Sequence, residues 1–389
     1  MKKSEIPSVI EIMTEPQVQL LCETSGMEKI YRYDGAIVVK LPNGRNVLSA
    51  ASLNGGYREE CEAVFNHQPK PGTNLRCCCD LEGGSVETYM KITAQRLGLD
   101  PAAAVGMMTA ANMQNACIVT KNFRDLEVTA VITAGIEVNG GRAGDPASYY
   151  EEDAAFEPCC GTIITILIIN ANLSASTLAR AAITATEAKC VALQQLMAPS
   201  RYSCGIATGS GTDQTAVIAN RNSPNCLQDA GKHSKLGELI GRCVIEATTQ
   251  ALARQSCLTA GSQCDMMVRL DRFGVDETAV WRIASGVPGE NRRTVFLHDL
   301  RELAKNPQVV TMTAALLHIT DEINWGLIPE LAGKRAALAI MQEFPGMIGI
   351  TGYQPVPGLL DERETIIDNW IRIVSWCLKH EYRGAADVA

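Results

Sequence analysis

The chain has 389 residues, with 35 Lys and Arg against 43 Asp and Glu and a formal net charge of −8. The acids are scattered and no basic stripe is present, which argues against a nucleic-acid partner gripped through its phosphates. The length exceeds one ordinary core and predicts two domains, or one large domain with an appendage.

Fifteen cysteines would suit a secreted disulfide scaffold, but MKKSEIPSVIEIM at the N-terminus lacks the unbroken apolar core of a signal peptide. The reading is a cytoplasmic protein with reduced thiols. The longest apolar run, Ile163 to Ile169, is too short to cross a bilayer, so no membrane insertion is expected.

The first elements alternate like strands, at Lys29 to Tyr33, Ala36 to Leu41 and Val47 to Ser52. Pro42-Asn43-Gly44 between the last two predicts a tight hairpin turn. The meander ends in Asn54-Gly55-Gly56, where unshielded backbone amides can meet a ligand or simply form a turn. Cys77-Cys78-Cys79-Asp80 and Cys159-Cys160 lack the two-residue spacing of a zinc knuckle and are read as structural or incidental. Val86 to Leu97 has helical spacing and is stopped by Gly98 and Asp100-Pro101.

Val105 to Ala111, which contains Thr109, and Val128 to Gly135 read as buried strands. The second runs into a loop holding Asn139, Gly140, Gly141, Arg142, Gly144 and Asp145. Such a loop can fold into a concave donor surface in which Arg142 and Asp145 fix polar groups; alternatively, the two pin a tight loop as a pair.

A strand from Thr162 to Asn170 follows, then Ser174 as N-cap and a helix from about Ala175 to Met197, ended by Pro199. On that helix Thr186 and Lys189 share a face while Glu187 is rotated away. Ala207 to Asp213 (ATGSGTD), with Thr208, Gly209, Gly211 and Thr212, follows an apparent strand and resembles a phosphate cradle, but lacks the lysine of GxxxxGK[ST]. Next, Gly231-Lys232-His233-Ser234-Lys235 opens a helix running to about Gln255. The helix dipole and two lysines favour a neutral His233, which can then act as a base near neutral pH. Beyond about Ser256 lie all four tryptophans, Trp281, Trp325, Trp370 and Trp376, with the clearest helices at Leu331 to Met341 and Glu364 to Lys379.

Seven blocks in order resemble one family, the CbiZ-type adenosylcobinamide amidohydrolases: LSAASLNGG from Leu48, MMTAA from Met107, ITAG to NGGRAGDPA ending at Ala147, GTI to NANLS from Gly161, ITATEAK from Ile183, ATGSGTD from Ala207 and GKHSKLGELIG from Gly231. The likeness covers about Val18 to Gln255. Ile164 stands where an asparagine is expected, and Cys190 where threonine is commoner. The resemblance implies hydrolysis of the amide joining the aminopropanol arm of adenosylcobinamide to its corrin ring, releasing adenosylcobyric acid for corrinoid salvage. Cobalt then arrives within the substrate. No HExxH or His-x-His spacing supports a catalytic divalent metal.

The expected fold is α+β: largely antiparallel sheet with helices packed on one or both faces over 1–255, and a mainly helical extension over 256–389. Amide hydrolysis needs a base, a proton donor for the amine and donors for the oxyanion. The candidates are His233 or Glu187 as base, Lys189 or Lys232 at the leaving group or oxyanion, and loop amides at Gly209 and Gly211. Thr186 or Thr212 is a nucleophile variant, and Asp213 a carboxylate in reach of a metal variant. Asn54, Gly55, Gly56, Thr109, Asn139, Arg142, Asp145, Asn170, Thr208 and Thr212 are expected to line the corrinoid. The competing reading is a corrinoid-binding protein without catalysis. The tryptophans could pack a core, cover the corrin or form a homodimer interface.

Overall fold

The structure, a computed structural model, describes residues 18–69, 80–147, 150, 161–351, 354 and 356–380. The Cys77 to Cys79 run and Cys159-Cys160 lie outside the described residues. The chain divides into two compact units. One takes residues up to Leu193 and Thr208–Ser256, the other Gln194–Ala207 and the residues from Cys257 onward.

In the first unit the strands are β1 (Gln19–Glu23), β2 (Lys29–Tyr33), β3 (Ala36–Lys40), β4 (Arg45–Ser49), β5 (Gly56–Glu59), β6 (Ala63–His67), β7 (Ala104–Met108), β8 (Cys117–Phe123), β9 (Leu126–Ala134), β10 (Gly140–Gly141), β11 (Ile163–Ile169), β12 (Asn172–Leu173), β13 (Gly209–Ser210), β14 (Gln214–Asn220) and β15 (Cys226–Leu227). Its α-helices are α1 (Val86–Arg96), α2 (Ala175–Gln195) and α3 (Lys235–Ser256). The described strands form a sheet of order β1-β2-β3-β6-β7, a second of order β5-β4-β14-β11-β9-β8, and the short ladders β10-β13 and β12-β15. Pairing in the two large sheets is antiparallel except at β6-β7 and β11-β14. The architecture is α+β.

The hairpin expected at Pro42-Asn43-Gly44 does not form. β3 is flanked by β2 and β6, and β4 by β5 and β14, so the turn carries the chain from one sheet to the other. The reason lies in β3 itself: Ala36 to Val39 is buried throughout, which requires a strand at each edge and cover on both faces. Gly44 (φ +77°) makes the crossing.

The two sheets pack face to face. Ile37, Val39, Val64, Val105 and Met107 of the first meet Val47, Val131, Ile164, Ile166, Ile168, Ala216 and Ile218 of the second in one cluster. On the far side of the first sheet, Val38, Ala63 and Phe65 pack against Met90 and Ala94 of α1. That helix begins at Ser85, whose Oγ accepts the backbone N–H of Thr88 at 3.2 Å. The far side of the second sheet carries α3 over β8 and β9, where Cys243 Sγ donates to the Val128 carbonyl at 3.2 Å. Cover on both faces explains why Ile163 to Ile169 has no polar alternation and is buried at every position.

His67, at the end of β6, hydrogen-bonds through Nε2 to the Tyr89 hydroxyl of α1 at 2.9 Å. Burial pulls its imidazole down from 6.5 to about 4. At neutral pH the ring is neutral whether the chain is folded or not. As the pH falls below 6.5 the unfolded chain takes up a proton that the fold refuses until about 4. Stability is therefore expected to decline across that window by up to about 3 kcal/mol and then level off for this group. Urea titrations at pH 7 and pH 4.5 check this: His67→Gln is expected to remove that share of the acid sensitivity.

The second unit is helical: α4 (Met266–Leu270), α5 (Glu277–Ala284), α6 (Arg293–Leu303), α7 (Pro307–Asn324), α8 (Glu330–Met347) and α9 (Ile366–His380). Trp370 is its central core residue, 1% exposed, with its indole N–H donating to Thr313 Oγ1 at 3.1 Å and its ring edge-on to Phe344. Trp325 is instead half exposed. Among the described residues no helix is long and apolar enough to cross a membrane.

Candidate active site

At one end of the sheet sandwich the inward-facing positions turn from apolar to polar. Val47 gives way to Ser49, Val64 to Asn66, Val131 to Thr133 and Met107 to Thr109, and Ala216 is preceded by Gln214. Register places them at the same end, with Thr133 and Gln214 both opposite Ile164, Ser49 opposite Ala216, and Asn66 opposite Met107. Asn66 Nδ2 donates to Thr133 Oγ1 at 2.9 Å, joining the sheets. Gln214 donates to Ser52 Oγ at 2.8 Å and accepts the Met108 N–H at 3.3 Å. Ser49 Oγ and Asn66 Oδ1 are buried without a hydrogen-bond partner among the described residues. Each such atom costs about 1–3 kcal/mol, and orphaned groups of this kind call for an explanation such as a functional role. Apart from Thr109, these residues are absent from the sequence-derived site. The available signal was the period-two alternation, which shows a polar residue on an otherwise apolar face.

Beside this end, the glycine loops interlock. Gly140 pairs with Ser210 and Gly141 with Gly209 across the β10-β13 ladder. The Thr208 N–H donates to the Gly141 carbonyl at 2.9 Å, and the Ala143 N–H to Thr208 Oγ1 at 2.9 Å. The Gly161 carbonyl accepts from Asn139 Nδ2 at 2.5 Å and from Thr212 Oγ1 at 2.9 Å. Asp145 accepts the Arg142 backbone N–H at 2.8 Å, so its carboxylate pins the loop through the main chain while Arg142 itself is exposed. The strand adjoining ATGSGTD follows it, as β14. Before it, Pro199 and Ile206 form only an isolated bridge, so a strand-loop-helix phosphate cradle is not built here.

Asp213 is the hub of these loops. It accepts from the N–H of Ile163 at 2.9 Å, the N–H of Ser210 at 3.0 Å and Ser210 Oγ at 2.6 Å. Lys189 Nζ completes the set as a close ion pair; the two side chains are only 11% and 14% exposed. Gly209 is required by this contact, since a Cβ there would lie 2.2 Å from Asp213 Oδ2 and 2.7 Å from Lys189 Nζ. Cys190 Sγ donates to the Thr208 carbonyl at 3.1 Å, and burial pushes its thiol up. At the crest of the loop, a Cβ on Gly211 would meet nothing within 4 Å.

Of the remaining candidates, Thr109 and Gly56 adjoin the polar end, Gly56 opposite Ser49 across β4 and β5; the others are placed as follows. Glu187 pairs with Lys232 at 2.8 Å, both about half exposed. Two residues along a helix is about 200° of rotation, so Glu187 and Lys189 point to opposite sides of α2. His233 is exposed in the turn before α3, next in sequence to Lys232. Thr186 is exposed and donates back to the Ala182 carbonyl at 2.9 Å. Asn54 (φ +54°) ties its turn to the carbonyls of Pro101 and Ala104, each at 2.7 Å. Gly55 passes close to the Ala51 carbonyl, while Gly56 (φ +88°) has open space where a Cβ would be. Thr109 Oγ1 accepts the Ala111 N–H at 3.0 Å. Asn170 is at the opposite end of β11, roughly 20 Å away, bonded to Ser25 at 3.0 Å and Asn220 at 2.9 Å. Among the described residues no three His, Cys, Asp or Glu side chains gather to hold a metal ion.

Comparison with known proteins follows the same residues. The family model for adenosylcobinamide amidohydrolase matches residues 21–260. An uncharacterised protein of Methanocaldococcus jannaschii is 32% identical over 232 residues, covering 56% of this chain and 86% of that protein. The adenosylcobinamide amidohydrolase of Methanosarcina mazei is 32% identical over 144 residues, covering 37% of this chain and 58% of that enzyme. Among solved structures, the PH0078 protein of Pyrococcus horikoshii aligns with a TM-score of 0.29 at 14% identity, over 61% of this chain and 83% of that one. With the family model matching more than half of its length, the chain belongs to the adenosylcobinamide amidohydrolase family.

Proposed function

We propose that this protein hydrolyses the amide between the aminopropanol arm and the corrin ring of adenosylcobinamide, giving adenosylcobyric acid and aminopropanol for corrinoid salvage. The observation that carries the reading is the convergence, inside the matched region, of the Asn139 to Asp145, Gly161 to Thr162 and Thr208 to Asp213 loops on the Lys189–Asp213 pair. Attack on an amide carbonyl builds negative charge on oxygen, and expulsion of the amine requires a proton. Lys189 serves both tasks, held in place by its ion pair with Asp213. Asp213, already accepting from four donors, is a positioning residue rather than a base. The open crest at Gly211 admits the broad corrinoid, and the polar inner residues Ser49, Asn66 and Thr133 flank the same end of the sandwich. The corrinoid brings its own cobalt.

Incubating the purified protein with adenosylcobinamide and following both products tests the proposal. Release of aminopropanol with matching adenosylcobyric acid over many turnovers is expected. Stoichiometric corrinoid binding without aminopropanol release would replace the enzyme with a carrier.

A further inference from the structure

The helical unit contains a cleft of about 480 Å³, within the roughly 300–1,000 Å³ usual for small-molecule sites. Most of its lining lies beyond the matched residues 21–260. One side is apolar, with Met197, Ile206, Leu317 and the half-exposed indole of Trp325. On its floor Arg272 and Asp321 neutralise one another through a two-point contact at 2.9 and 2.6 Å, and Arg272 also donates to the Cys204 carbonyl.

Two lining groups are not consumed in this way. Arg269 spends only Nε, donated to the Gln263 carbonyl at 2.8 Å, and has no carboxylate partner among the described residues. Gln263 is 6% exposed, yet its side-chain amide has no hydrogen bond to any described residue, while its main chain is engaged. An aromatic wall, a buried amide with free donor and acceptor, and the remaining N–H groups of a guanidinium together meet a planar heteroaromatic ring carrying an anion. A simple aromatic carboxylate would leave much of the volume empty and the amide unread.

We propose that this cleft binds a nucleoside monophosphate, with the base against Trp325 and read by Gln263, and the phosphate on Arg269. The site is separate from the amide chemistry proposed above and does not depend on it.

Titrating the full-length protein with adenosine 5′-monophosphate, adenosine and inorganic phosphate tests it, by calorimetry and tryptophan fluorescence. Expected is saturable binding of the monophosphate at least about tenfold tighter than either fragment, with fluorescence quenching that disappears in Trp325→Phe. Arg269→Lys is expected to weaken the monophosphate about tenfold or more while changing adenosine affinity less than about twofold. Should that variant fail to fold, the wild-type comparison of monophosphate with its fragments still decides. No monophosphate binding up to about 1 mM, equal affinity for monophosphate and a fragment, or a folded Arg269→Lys protein with unchanged affinity would each overturn the site.

Discussion

Replacing Lys189 by methionine is expected to lower kcat for adenosylcobinamide hydrolysis by about 10²–10³, the usual cost of one oxyanion donor. The same change leaves Asp213 buried without its cation, so stability should fall by about 3 kcal/mol. The double variant Lys189→Met with Asp213→Asn separates the two effects. It removes both charges and is expected to regain much of the stability but none of the activity. His233→Ala and Glu187→Gln are expected to stay within about threefold of wild type, because Glu187 and Lys232 form a solvated pair on the other side of α2. Steady-state kinetics with thermal melts reads all four proteins. Wild-type kcat in a folded Lys189→Met protein, or its loss in His233→Ala, would move the chemistry to the opposite side of the helix.

The second large effect belongs to a methyl group. In Gly209→Ala the new Cβ would sit 2.2 Å from Asp213 Oδ2 and 2.7 Å from Lys189 Nζ. The carboxylate cannot withdraw without losing its bonds to the Ile163 and Ser210 N–H groups. The methyl group therefore strains those bonds by pushing on the carboxylate, and it displaces the lysine, at the end of four flexible bonds, as well. A loss of at least about tenfold in kcat is therefore expected, with a stability cost of about 1–3 kcal/mol. Gly211→Ala is the control: two residues away in the same loop it meets nothing within 4 Å, so its melting temperature should match wild type. Equal activity in Gly209→Ala and wild type would mean that the Lys189–Asp213 contact is not part of the reaction.

Much of the local structure was legible from residue order. Gly98 with Asp100-Pro101 ends α1, Ser174 precedes α2 and bonds the Thr177 N–H at 3.3 Å, and Pro199 lies just beyond that helix. Local rules reach this far because caps, breakers and alternation act over one turn or one strand. The hairpin at Pro42 to Gly44 failed for the complementary reason. Turn chemistry fixes where the chain bends, while the partners of β3 and β4 come from residues far along the chain, at β6 and β14.

The same division runs through the candidate site. The order of residues by itself determined the family, the α+β class, the glycine loops and the rotation that parts Glu187 from Lys189, since all of these follow from motif and helical period. Only the tertiary structure decided that the Asn139 to Asp145 and Thr208 to Asp213 loops join through a two-residue ladder, that Lys189 closes on Asp213, and that Asn170 lies at the far end of β11. It also decided that Ser49, Asn66 and Thr133 share one end of the sandwich. Those groups lie on different strands, and their proximity is set by register and sheet packing, which bury the apolar face of every strand at once and leave no trace in any single stretch of sequence.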